Sequence, residues 1–441
     1  MPAAKQRPNL LLIHMHDAGQ YASPYGYAIP TPALQAFAEG GTVFRHAHCV
    51  APTCSASRAS LMTGQYAHQC GMHGLAHHGF RIDDYGKHVV HPLRTAGYHT
   101  ALAGFQHVAS PAAGVRPEDI GYSELLTLDA DFLPPTEHAE AFLAQRSDYD
   151  PPFFLNVGYF SPHRISGGGF PCFGDLDADP RFVRPPVPLP DTAKTRADMA
   201  RYVRAIRGTD AMIGRVLEAL DRHGLADRTL VVITTDHGIA FPDMKANLTD
   251  HGTGVMLMMR GPGVPEGHVT DRLASHLDVF PTLFELAGLE APDWWEGGSR
   301  TDALGGATSK VPISPGSNDD PAVFTEMTYH AAYEPMRSVR TDRFRYIRRF
   351  ADNHPVLPAN CDPGASRDHW IAAGWADRSQ DPEALYDCIF DPHQRHNLIG
   401  NPRHSQDLEA LRQRLDRWME DTDDPLQHGP VAPAQLISVG V

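Results

Sequence analysis

The sequence predicts an α/β protein: a large mixed, mostly parallel sheet flanked by helices, with a smaller α+β region at the C-terminal end. Two observations carry the first part. Short, wholly apolar runs end in polar residues and a glycine, as at 8–19 and 228–238, and segments with helical 3.6-residue spacing separate such runs. A third observation carries the second part: composition turns to Gly, Ser, Pro and Asp over 297–321, and beyond it the chain alternates like antiparallel strands. The expected division is an α/β domain over 1–315 and an antiparallel-sheet-plus-helix subdomain over 316–441.

Residues 8–19 (PNLLLIHMHDAG) read as a buried strand with its functional groups at the carboxyl end. A helix with a glycine stop follows at 31–41, a second strand at 43–50 and a helix at 57–66. Residues 91–107 give a helix tail, a glycine and a strand running to His107, whereas 108–150 is mixed and left unplaced. Another strand, 151–163, ends at His163, and the Gly-, Pro- and Phe-rich segment 164–190 is a surface excursion near the strand ends. From Asp191 the apolar spacing is that of a long helix closing on Gly224. The clearest strand, 228–238 (RTLVVITTDHG), ends at Asp236 and His237; a strand at 254–263 and a helix at 275–289 follow. Beyond the boundary, 336–350 alternates as a strand and 406–421 is an amphipathic helix. No internal repeat is present.

The bulk properties narrow the function. A chain of 441 residues with 42% hydrophobic content supplies a sizeable core. A net charge of -15, with acidic residues spread along the chain, argues against a nucleic-acid partner and suits a small polar ligand. The first apolar run, Leu10 to Ile13, is too short for a signal peptide or a membrane span, so a cytoplasmic protein without membrane association is expected. Six cysteines without a CxxC pair fit reduced thiols, and the 26 histidines are an excess whose members at strand ends matter most.

Three predicted strand ends carry acids or imidazoles: His16 with Asp17, His107, and Asp236 with His237. In an open parallel sheet such ends converge on one rim. His16, Asp17, Asp236 and His237 together are a candidate ligand set for a divalent cation, each pair alone being more often a satisfied buried hydrogen bond than a ligand set. The stretch PTCSASRASLMTG places Cys54 ahead of a helix that Arg58 enters in its first turn. Free backbone N–H groups, the helix dipole and a guanidinium suit an oxyanion there. The other reading of Cys54 is a buried thiol.

Several of these stretches resemble one family. CSASRASLMTG resembles the sulfatase signature, in which a cysteine in a C-x-P/A-x-R context is oxidised to formylglycine; Ala56 stands where proline is commoner. RPNLLLIHMHDAG is similar to the family's opening strand and metal-binding acid pair, TLVVITTDHG to its second metal-binding strand, GFQH to its Gly-Lys-x-His segment, and SPH to its active-site histidine. ALYDCIFDPHQRHNL is similar to its C-terminal Leu-Tyr-Asp run. Within the family, ASRASLMTGQYAHQCGMHGL, FPDMKANL and TYHAAYEPMRSVRTDRFRYI most resemble the heparan N-sulfatase (sulfamidase) branch and its bacterial relatives.

The resemblance implies an alkaline phosphatase-like fold and hydrolysis of sulfate esters or sulfamates on a sulfated amino sugar. It implies one divalent metal ion, calcium by family habit, and a formylglycine made from Cys54 by a formylglycine-generating enzyme. Arg58 and Lys245 then offset the sulfuryl charge, His107 deprotonates the second hydroxyl of the hydrate, and His163 with Lys245 protonates the leaving atom. His330, Glu334 and Arg337 fall in the segment similar to the sulfamidase substrate loop; Arg337 meets a carboxylate or second sulfate there, or else forms a salt bridge between domains. Three departures bear on this. His16 replaces the first acid of the usual pair and His237 replaces an asparagine, which shifts the expected ion toward manganese or zinc. Phe105 stands where a lysine normally meets the sulfate, so Lys245, Arg164 or a histidine must compensate. Phosphonate monoester and phosphodiester hydrolases of the same fold are the alternative enzyme class, and a non-catalytic anion or metal binder is a third reading. A homo-oligomer is compatible with all three.

Overall fold

β1 (Asn9–Met15) is buried at every position, as an unbroken apolar run requires of a strand covered on both faces. The computed structural model describes residues 7–128, 135–146, 151–173, 176–305 and 321–436. Further strands follow as β2 (Thr42–Phe44), β3 (Ala47–His48), β4 (His99–Gly104), β5 (Glu124–Thr127), β6 (Phe153–Gly158), β7 (Thr229–Thr235), β8 (Leu257–Arg260), β9 (His268–Thr270) and β10 (Ala274–Ser275). Eight of them form one sheet in the order β5-β4-β6-β1-β7-β8-β2-β9. Its first five strands run parallel, and β8 is antiparallel to both neighbours, which makes the sheet mixed and mostly parallel as the sequence predicts.

Helices cover both faces. On one lies the helix Ala193–Arg222, started by a capping box between Thr192 and Thr195, whose Tyr202, Ile206, Ile213, Val216 and Leu220 pack against Leu11, Ile13 and Ile233. On the other, Leu283 and Phe284 of the helix Val279–Ala287 join Leu10, Leu12, Phe154 and Val232. Alternate residues of one strand thus serve opposite cores. Among the described residues no helix is long and apolar enough to cross a membrane.

The C-terminal part is a four-stranded antiparallel sheet of β11 (Ala322–Tyr329), β12 (Tyr333–Thr341), β13 (Phe344–Arg349) and β14 (Glu383–Asp387), in that order. The helix Ser405–Asp421 lays Leu408, Leu411, Leu415 and Trp418 into a core that Val50, Tyr66 and Leu277 share from the first part of the chain. The alternating stretch 336–350 is therefore two strands with a turn between them. The expected division at 315/316 lies outside the described residues.

Further differences from the sequence reading fall in the first part of the chain. Residues 43–50 form two short strands, not one. The helix expected at 57–66 runs from Cys54 to Thr63, because Thr53 is extended and its carbonyl already accepts from Ser57, and Gly64 ends it at φ 70. β4 stops at Gly104 and β6 at Gly158, so His107 and His163 sit in the loops beyond their strands. The unplaced stretch 108–150 contains β5 and the helix Thr136–Ala144.

Candidate active site

The parallel register brings the site together. Met15 lies opposite Thr235, so residues 16–17 and 236–237 leave the sheet side by side. Gly158 pairs with both His14 and Gly104, so the loops carrying His107 and His163 leave at the same rim. Asp17 takes the left-handed conformation, at φ 52. Gly238 permits the close approach of the next loop, since a Cβ there would lie 2.0 Å from the carbonyl of His251.

Asp236 organises the centre. Its Oδ1 accepts from the backbone N–H groups of Asp17 and His237, each at 2.9 Å, which leaves Oδ2 3.1 Å from His16 Nδ1 and 3.2 Å from Arg58 Nε. His16 Nδ1 is 2.8 Å from Asp17 Oδ1, and His237 Nε2 is 3.3 Å from that same oxygen. Cys54 Sγ lies 3.3 Å from His237 Nε2. One ligand atom from each of His16, Asp17, Cys54, Asp236 and His237 falls within 4.8 Å of every other, and all five residues are buried.

A divalent cation fits this geometry. Ligand atoms bound at roughly 2.0–2.4 Å from one ion stand about 3 Å apart, as these do. The charge points the same way, because two buried carboxylates, Asp17 and Asp236, and the partly buried Asp362 face two fixed cations among the described residues, Arg58 and Lys245. His16 Nε2 is buried without a partner among the described residues. Against the pull of burial, Lys245, His163 and His237 hold Asp17 well below the carboxylate range, and His237, His16 and Arg58 do the same for Asp236. Burial keeps the His16 imidazole neutral, the state that ligates.

Cys54 is the first residue of its helix, where backbone N–H groups lack helical partners. Burial pushes its thiol well above the usual range. Arg58 is not free: besides Asp236 it donates to His14 Nδ1, and its guanidinium stands over the Phe105 ring at 5.1 Å. Lys245 Nζ is 3.0 Å from Asp17 Oδ2, 2.9 Å from Asp362 Oδ2 and 3.4 Å from His163 Nε2. Although burial works against its charge, the two carboxylates hold it protonated. His163 Nδ1 donates to the Arg164 carbonyl, which leaves Nε2 as the atom facing Lys245. His107, at φ 60, packs on Phe105 and approaches His16 at 5.8 Å between ring centres.

Two expectations fail. Arg164, offered as compensation for the missing lysine, is spent in a two-pronged pair with Asp198 at 3.0 and 2.8 Å. Arg337 meets no ligand surface: it is fully buried, with Nη2 2.9 Å from Asp424 Oδ1 and Nη1 bonded to the carbonyls of Met327 and Met336. Its ion pairs, with Asp424 and Glu326, lie within the C-terminal part and do not bridge the two parts. Glu334 and His330 do reach the site's edge. Glu334 accepts from Asn360 at 2.7 Å and Gln380 at 3.0 Å and lines a small recess with Lys245 and Trp375. His330 is buried with Nδ1 unpartnered, and burial followed by Lys245 presses it down to about 3.

The sequence reading missed Asp362 and His77. Asp362 arrives from the C-terminal part and clamps Lys245; an isolated acid before a proline carries no signal of that. His77 Nδ1 lies 3.1 Å from His107 Nε2.

The sequence profile of the sulfatase family matches residues 8–289. N-sulphoglucosamine sulphohydrolase of Homo sapiens is 31% identical over 477 residues, covering 96% of this chain and 92% of the relative. A solved structure in complex with its substrate D-glucosamine-2-N,6-O-disulfate superposes with a TM-score of 0.70 at 18% identity, covering 95% of this chain and 99% of the other. The phosphonate monoester hydrolase of Agrobacterium radiobacter superposes at 0.67 with 21% identity, covering 94% and 96%.

Proposed function

The chain belongs to the sulfatase family, and we propose that it hydrolyses the S–N bond of a sulfamate or the S–O bond of a sulfate ester on an amino sugar, through the residue at position 54. The convergence of His16, Asp17, Asp236 and His237 on Cys54 carries this reading. Likeness to an N-sulphoglucosamine sulphohydrolase supports the sulfamate in particular.

A cation held by His16, Asp17, Asp236 and His237, with two imidazoles favouring manganese or zinc over calcium, polarises the attacking oxygen and offsets sulfuryl charge when bound. Oxidation of Cys54 to formylglycine by a maturation enzyme supplies a hydrate with two hydroxyls, one to attack sulfur and one whose deprotonation expels sulfate.

The other residues bind, orient and move protons. Arg58 fixes Asp236 and places positive charge beside the centre. The start of the helix Cys54–Thr63 directs N–H groups at the anion. Lys245 Nζ, the one lysine in this cluster, takes the electrostatic place that Phe105 leaves empty. The leaving nitrogen or oxygen takes its proton from the His163–Lys245 pair: His163 gives it from Nε2 as the imidazolium, while Lys245 Nζ, 3.4 Å away, stays protonated and offsets charge on the leaving atom. His107 accepts a proton at Nδ1, its buried and unpartnered nitrogen. Glu334, with Asn360 and Gln380, borders the recess where the sugar lies, and His330 is buried within the field of Lys245.

The intact mass of the Cys54 peptide from protein made in its native host tests the nucleophile: a shift matching replacement of CH2SH by CHO supports it, and an unmodified thiol refutes it. Turnover of N-sulfoglucosamine above that of an aryl phosphonate supports the sulfur reading. The reverse ranking favours the phosphonate hydrolase that shares the fold.

A further inference from the structure

We propose that His77 is a positioning residue that sets the tautomer of His107 and carries its proton to solvent; this rests on the sulfatase reading above. His77 lies on the short turn Ala76–His78, after the signature helix, and is exposed, whereas His107 lies in the loop after β4. Ser55, the neighbour of Cys54, accepts a hydrogen bond from the Ala76 N–H at 2.9 Å and ties the turn to the nucleophile's helix. Gln106 accepts from the N–H groups of Val108 and Ala109 and so fixes the loop that presents His107.

The two rings meet edge to edge. His77 Nδ1 is 3.1 Å from His107 Nε2, the planes differ by 3°, and the ring centres are 5.3 Å apart. The centres are farther apart than the nitrogens by about two ring radii, so the imidazoles lie end on in one plane, the arrangement of an N–H···N hydrogen bond. On the opposite edge of His107, Nδ1 is buried and has no partner among the described residues.

One proton assignment serves hydrolysis. For His107 to accept a proton at Nδ1, that nitrogen must carry a lone pair, so the ring proton must sit on Nε2 and needs an acceptor. His77 Nδ1 is that acceptor, which places the proton of His77 on Nε2, toward solvent. When the second hydroxyl gives its proton to His107 Nδ1, its oxygen's electron pair reforms the aldehyde carbonyl as sulfate leaves. The Nε2 proton of His107 then passes to His77 Nδ1 and the Nε2 proton of His77 to water. Each ring gains one proton and loses one and is left as the other tautomer, which proton exchange with water resets before the next turnover, so no other reactant is consumed.

Two measurements test this on the mature metal-loaded enzyme. Long-range 1H–15N spectra of the wild type, with His107 assigned by its His107→Gln variant, are expected to place the proton of His107 on Nε2; a proton on Nδ1 overturns the proposal whatever the activity. In kinetics, His77→Ala is expected to lower kcat by roughly 10–100-fold with KM within about twofold. It should give a burst of phenol from an aryl sulfate, because attack proceeds and release is slowed, and added imidazole should restore turnover. His77→Asn, whose Oδ1 still accepts from His107, should keep the tautomer and lack the relay. Unchanged kcat in His77→Ala, or a loss that imidazole does not relieve, overturns the relay. An inactive wild type counts against the sulfatase reading instead, and the tautomer measurement still decides this one.

Discussion

Two clusters of buried charge can be set side by side, one around Cys54 and one around Arg337. In the second, Arg337 faces Asp424 and Glu326, His68 Nδ1 meets Glu326 at 3.0 Å, and His68 Nε2 meets the Thr422 carbonyl at 3.2 Å. Acids and bases alternate there, and their hydrogen-bonding capacity is used. Around Cys54 the balance is different: carboxylates and imidazoles crowd one another, while buried nitrogens of His16, His107 and His330 have no partner. Burial of charge is common to both, so it does not mark a reactive centre. A gathering of unpartnered imidazole nitrogens at one rim does set the first cluster apart, although single unpartnered atoms such as Trp418 Nε1 occur elsewhere among the described residues.

Breaking each cluster should therefore cost different things. Cys54→Ala should lower kcat/KM by roughly 10⁴-fold or more, with thermal stability near that of the parent; a variant retaining most of its turnover removes Cys54 from the mechanism. Next in size, chelation with EDTA should abolish activity, and manganese or zinc should restore it better than calcium. Preferential rescue by calcium would show that the two imidazoles do not set ion choice. At the other cluster, Arg337→Met strands Asp424 and Glu326 and should cost about 3–5 kcal/mol in chemical denaturation while KM for the remaining folded enzyme stays put. A changed KM would return Arg337 to the substrate.

The smallest effect is in pH dependence. Against burial, His68 and Arg337 hold the Glu326 carboxyl down to about 2 from 4.5, so its contribution is whole above pH 4.5 and is lost as pH falls toward 2. That contribution is at most roughly 3 kcal/mol. His68 shifts upward, with burial opposing and Glu326 prevailing, so its contribution is whole below pH 6.5 and fades as pH rises through its folded value. Glu326→Gln should flatten denaturation midpoints between pH 4.5 and 2; an unaltered acid limb places the sensitive carboxylate elsewhere.

What the sequence disclosed follows the range of each signal. β1 and β7 were legible because unbroken apolar runs leave few alternatives to a buried strand, and their polar ends put His16, Asp17, Asp236 and His237 on one rim. The start of the helix at Cys54 lies three residues before the expected one, because it is set locally by extended Thr53, whose carbonyl accepts from Ser57. Asp362 and His77 were invisible for a different reason. Neither has a periodic neighbourhood, and each acquires a role only through a partner far along the chain, Lys245 for one and His107 for the other. Arg337 sat in a stretch similar to a substrate loop, yet its strand turns it inward, which pattern alone does not disclose.

The burial of Cys54 also sets a clock. Its thiol is buried among residues of the loops after β1 and β7, and Asp236 lies 182 positions beyond Cys54. At a synthesis rate of roughly 5–20 residues per second, Cys54 exists for roughly 10–40 seconds before the chain that covers it has been made. Any enzyme that acts on this thiol as the chain emerges works within that interval, competing with the ribosome for time and later with β7 for access.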